Sequence, residues 1–179
     1  REERVEALLG RALRLILDAQ KVPKDNAADV GGWRYQPDSK DGDVSVTGWQ
    51  IMAMRSSRMN GAPVPDAAIR DAMAFLERAR HPEGGFRYVP RADWWYSRRG
   101  YWVRQPATPG ASAAALLCRE LGGHHGDQAN VAAGDFIIRQ IKGPDGFLPP
   151  DFREYATFYA AEGMFQLGGR YWEEFGAAM

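Results

Sequence analysis

The chain sets apolar stripes at helical spacing between short glycine-rich interruptions. Val5, Leu8, Leu9, Ala12, Leu13, Ile16 and Leu17 recur at i, i+3, i+4 and i+7, which predicts a first helix from Glu3 to Gln20. A second helix is predicted from Val44 to Asn60, closed by Gly61, with Asp43 or Ser45 as its N-cap. A third opens at Pro65-Asp66, carries Ile69, Met73, Phe75 and Leu76, and ends at His81-Pro82. Three more are predicted over Ala111–Leu121, Gln128–Lys142 and Arg153–Leu167, each stopped by Gly-Gly or Gly-Pro, and a seventh begins at Tyr171.

The interruptions repeat. Gly31-Gly32-Trp33-Arg34-Tyr35 returns as Gly84-Gly85-Phe86-Arg87-Tyr88 and, shortened, as Gly146-Phe147. A single shift of the chain on itself places Gly48 on Gly110, Ala53 on Ala115 and Met54 on Leu116. The same shift places Phe75 on Ile137, Leu76 on Ile138 and Pro82 on Pro144. Repeats at this spacing mark stacked supersecondary units. The second, fourth and sixth helices carry small residues that let backbones approach closely, among them Gly48, Ala113, Ala114 and Ala160. The first, third and fifth are amphipathic, with Arg and Glu, as an outer layer requires. The fold class expected is all-α, one domain over residues 1–179 built of αα-hairpin repeats.

At these residues the chain resembles the α/α-toroid superfamily of terpenoid cyclases and protein prenyltransferase β subunits. The Gly-Gly-aromatic turns look like degenerate QW-type repeats, with Gln20 as a leading glutamine, and Asp43-Val44-Ser45-Val46-Thr47-Gly48-Trp49-Gln50 opens an inner helix in the same manner. The resemblance covers nearly the whole chain. It implies part of an α/α toroid, with more helices in a closed ring than this chain supplies, so a longer parent or a missing toroid half is expected, or a homo-oligomer that covers the open edges. It also implies a DxDDTA-type acid in squalene cyclase-like members. Asp41 and Asp43 match its first two acidic positions as candidate catalytic residues, but Val44 stands at the third and Ser45 at the threonine. Asp43 has an alternative reading as a helix N-cap. The prenyltransferase-like zinc set of Asp, Cys and His finds only Cys118 and His124 nearby, without the family spacing, and no metal or cofactor is expected.

Composition narrows the function classes. Lys plus Arg and Asp plus Glu both number 23, so the formal net charge is zero and a nucleic-acid partner is not expected. No apolar run approaches the ~20 residues of a membrane helix. One cysteine rules out an intramolecular disulfide, and Asp38–Asp43 lacks the closing glutamate of a calcium loop. The start at Arg1 rather than Met leaves a lost signal peptide or a longer parent open, and localisation with it. Between Arg91 and Arg104, five aromatic rings alternate with four arginines and one acid. This stretch is read as a loop at the mouth of a cavity. Trp94, Trp95, Tyr96, Tyr101 and Trp102 there, with Trp49, Tyr155 and Tyr159 on inner helices, are candidate ligand contacts. The ligand could be an isoprenoid gripped by apolar and cation–π contact, a sugar stacked on the rings, or a protein partner. Glu162, set among small residues of an inner helix, is a further candidate, turned inward as an acid, paired with an arginine or facing solvent.

Overall fold

The computed structural model describes residues 2–91, 95–98, 101–104, 106–142 and 153–179. The class is all-α. Seven α-helices are found among these residues: α1 (Glu2–Lys21), α2 (Val44–Met59), α3 (Asp66–Arg78), α4 (Pro109–Leu121), α5 (Gln128–Ile141), α6 (Arg153–Leu167) and α7 (Gly169–Ala178). A single 3-10 turn at Ala27–Asp29 and one antiparallel pair, β1 (Trp95–Arg98) with β2 (Tyr101–Arg104), complete the set. None of the described helices is long and apolar enough to cross a membrane.

The helices start where capping chemistry allows. Asp43, Thr108 and Asp127 each turn a side-chain oxygen onto a free N–H of the first turn, of Val46, Ala111 and Asn130 respectively. Each cap is worth about 1 kcal/mol. At α3 the N-cap is Pro65, which makes no side-chain cap bond and only removes its own N–H from those left unpaired.

Helix α4 is the spine. Every residue from Ala111 to Glu120 is buried, because α4 lies between α2 and α6 and also carries α5. The small residues make this close approach possible. A Cβ on Gly48 of α2 would lie 3.4 Å from Cys118 Sγ, and one on Gly163 of α6 would lie 3.1 Å from Leu116 Cγ. The amphipathic helices form the second layer: α1 and α3 pack on α2, while α5 and α7 pack on α6 and on each other. Phe75 and Leu76 of α3 and Ile137 of α5 are fully buried between the layers. Each such side chain contributes about 1.5–3 kcal/mol.

The two described glycine turns are built alike. The N–H of Trp33 donates to Thr47 Oγ1 at 3.0 Å, and the N–H of Phe86 donates to Ser112 Oγ at 2.9 Å. The carbonyls of Trp33 and Phe86 accept from the N–H groups of the two N-cap residues, Asp43 and Thr108. The first glycine of each pair has positive φ and lies against a backbone carbonyl of the following outer helix, Gly31 on Asp71 and Gly84 on Ala132. The second lies on an aromatic ring, Gly32 on Phe75 and Gly85 on Phe136. The helical repeat is therefore physical, but its register differs from the single shift expected. Thr47 corresponds to Ser112, so Gly48 falls on Ala113 rather than Gly110, and Phe75 falls on Phe136 rather than Ile137. The segments between turn and helix differ in length, and the capping geometry, not the count of residues, sets the alignment.

Candidate functional site

The polar and aromatic groups named from sequence meet where the first turn joins α2 and α6. Asp43 caps α2 and is fully buried. Its Oδ1 accepts from Val46 N–H at 2.9 Å and from Ser45 Oγ at 2.7 Å, and its Oδ2 accepts from Arg34 Nη1 at 2.9 Å. Asp41 is more open, its side chain 40% exposed, and meets the same guanidinium at 3.6 Å. Arg34 also donates to Tyr88 Oη at 3.2 Å and stands over the rings of Tyr35 and Tyr88, 5.3 and 5.5 Å from their centroids. Tyr35 and Tyr88 share a hydrogen bond at 3.3 Å. Burial pushes the Tyr88 phenol up, and the hydrogen bond to Tyr35 and the Asp43 charge add to the rise, so it stays protonated while its oxygen accepts from Arg34.

From α6, Tyr155 and Tyr159 extend this cluster toward α2. Their ring centroids are 4.6 Å apart, and Phe158 meets Tyr159 edge-on at 5.2 Å. Tyr155 crosses the start of α4 where Gly110 leaves room, 3.6 Å from the position of a Cβ there. Its hydroxyl is buried with no hydrogen bond of normal geometry. Burial raises its pKa, chiefly, although Ser45 lies close enough to oppose the rise. Trp49 of α2 interacts with the Tyr159 hydroxyl and is 46% exposed. The rings line up as an aromatic strip, with Tyr88 and Tyr155 each approaching Ser45; its exposed ends are Tyr35 and Trp49, while Tyr159 is buried in the core at 4% exposure.

The remaining expectations fall elsewhere. Glu162 is exposed on α6, so the solvent-facing reading describes its position rather than the inward acid. Trp94 lies outside the described residues, as do the Gly146-Phe147 turn and the side chains of Trp95, Tyr96, Tyr101 and Trp102. The stretch read as a loop carries a β-hairpin instead, with Tyr96 opposite Val103 and Arg98 opposite Tyr101. Two short aromatic runs separated by Arg99-Gly100 are the signal that would have found it.

Several polar groups that sequence reading passed over are structural. Lys24 Nζ donates to the carbonyls of Ser39 (2.8 Å) and Asp41 (3.3 Å), an internal cation holding the acidic loop. Next to it, Asp25, Asp29, Lys40, Asp41 and Arg91 line a cleft of about 260 Å³. Burial raises the pKa of Asp29, and Arg91, 3.5 Å away, opposes the rise. At the α4–α5 junction, Arg119 binds Asn130 Oδ1, Glu77 Oε2 and Asp127 Oδ2 at 2.8, 2.9 and 2.5 Å. Buried Glu120 accepts from Asn130 Nδ2 and Gly126 N–H and meets His125 Nδ1 at 3.0 Å. Cys118 is buried, with Sγ 3.6 Å from the Gly48 carbonyl.

The chain matches no family model, no curated protein and no solved structure. The functional reading rests on the geometry.

Proposed function

We propose that this is a squalene cyclase- and prenyltransferase-like repeat domain that binds an extended apolar ligand along its aromatic strip, without acid catalysis by Asp41 and Asp43. The observation that carries this reading is the state of Asp43. A carboxylic acid that protonates a substrate must hold a proton and face the substrate. Asp43 instead accepts three hydrogen bonds, one from a permanently charged arginine, and has no exposed surface. Tyr35 and Trp49, 64% and 46% exposed, present ring surface for contact with an extended apolar ligand.

Tryptophan fluorescence with farnesol and, separately, cellohexaose tests the reading. Farnesol is expected to change the emission saturably in the wild-type chain and in Asp43→Asn, and to lose affinity about tenfold or more in Trp49→Ala. A response to cellohexaose alone would replace the apolar ligand with a carbohydrate. Silence with both probes, or loss of farnesol binding in a folded Asp43→Asn variant, would overturn the proposal.

A further inference from the structure

Two exposed helix faces at opposite ends of the α2–α4–α6 row carry the same pattern with opposite charge. On α1, Arg4, Leu8, Arg11 and Leu15 are spaced i, i+4, i+7 and i+11 and so share one stripe. All four are exposed, Leu8 at 50% and Leu15 at 56%. On α6, Glu154, Phe158, Glu162 and Phe165 span the same distance, charged and apolar in alternation, with Phe158 56% and Phe165 60% exposed. Among the described residues, none of these four charged groups has an ion-pair partner. Asp18 stands one turn beyond the α1 stripe and ends it.

We propose that this chain self-associates head to tail, the α1 stripe of one copy seating against the α6 stripe of the next. The argument is charge complementarity. Arginines meet glutamates only when the two different faces meet, whereas α1 on α1, or α6 on α6, brings like charges together. Apolar residues exposed at the ends of a repeat stack are the usual liability of such folds, and a neighbouring copy covers them. Because the two faces differ, the contact is heterologous and can continue from copy to copy. The inference does not rest on the ligand reading: the α6 stripe borders the candidate site at Phe158, which meets Tyr159, but neither stripe includes Trp49, Tyr155, Tyr159 or Asp43.

The test uses two single variants, Arg11→Glu and Glu162→Arg, followed by sedimentation velocity and native mass spectrometry. The wild-type chain is expected to grow in mass with concentration. Each variant spoils one face and should raise the dissociation constant about tenfold or more, because attraction becomes repulsion at that pair. Mixing the two variants should restore growth, since the intact α6 face of Arg11→Glu meets the intact α1 face of Glu162→Arg and the two altered faces, Glu on α1 and Arg on α6, are again complementary. Placing both substitutions in one chain should restore self-association. Circular dichroism checks the fold, and Arg4→Glu with Glu154→Arg replaces either variant that fails it. A wild-type chain that stays monomeric at its highest soluble concentration would hand both faces to some other partner and overturn the proposal. So would a single variant that assembles like wild type, or a mixture that stays monomeric.

Discussion

Replacing Thr47 with valine removes one hydroxyl and almost nothing else. That hydroxyl is the acceptor for the Trp33 N–H at 3.0 Å, and Thr47 is fully buried. Water cannot take its place, so the N–H is left unpaired at about 1–3 kcal/mol. The methyl that replaces the hydroxyl returns about 0.8 kcal/mol through apolar burial. A net loss of about 1 kcal/mol follows, and at roughly 2–4 °C per kcal/mol for a chain of this size the melting temperature should fall by about 3–4 °C. Ser112→Ala, which removes the acceptor for the Phe86 N–H, should do the same for the second turn. Differential scanning calorimetry of both variants and of Ser45→Ala makes the comparison. Asp43 keeps Val46 N–H and Arg34 when Ser45 is lost, so Ser45→Ala should shift the melting temperature least. If Thr47→Val melts within about 1 °C of wild type while unfolding cooperatively, the clasp is not load-carrying and the reasoning fails. If only one of the two turns responds, the equivalence of Thr47 with Ser112 fails instead.

Gly32→Ala should destabilise by about 2 kcal/mol or more in urea titrations, because its Cβ would stand 2.4 Å from the Phe75 ring, whereas Gly176→Ala on α7 meets nothing and should stabilise by about 0.5–1 kcal/mol. Asp127 has a lowered pKa: burial works against its charge, but the Asn130 N–H and the Arg119 guanidinium outweigh it. A carboxylate whose folded value lies below its unfolded one contributes stability that is present above the unfolded value and lost as pH falls through the folded one. Asp127→Asn should therefore flatten the fall in stability below the ordinary aspartate value of 3.8 and leave its shape near neutrality unchanged, as read by denaturant midpoints across pH. Burial pushes the Cys118 thiol up to about 12, so a thiol reagent at mildly alkaline pH should label it only after unfolding, as mass spectrometry would report.

The helices were legible because each is announced by both periodicity and punctuation. For α6 the expected and observed bounds agree, Arg153–Leu167, and for α2 and α5 they agree at the start and differ by one residue at the end. Small residues marked the crowded layer, which is where Gly48 and Gly163 meet α4. The register of the repeat was less legible. Shared residue types suggested one shift, but hydroxyl clasps and caps fix the correspondence, and a threonine aligned with a serine is a weak signal. At the candidate site, sequence could name Asp43 as acid or cap but could not supply Arg34, which approaches it through the turn. Nor could it show Tyr155 passing over Gly110, since that contact joins helices far apart in sequence. Lys24 was missed because its partners are backbone carbonyls of a loop, which no side-chain pattern announces.

Each of the two described glycine turns is closed by a helix that follows it in the chain: Gly31 by the backbone at Asp71, Gly84 by the backbone at Ala132. This gives assembly a direction. A hairpin emerging first during synthesis lacks the wall against which its own turn is set, and its Trp33 or Phe86 clasp closes only as the next outer helix docks. Units of this kind are completed by their successors rather than by themselves. Removing α3 would therefore loosen the turn ahead of it as well as the helix behind, and hydrogen exchange at the Trp33 N–H would register the missing neighbour.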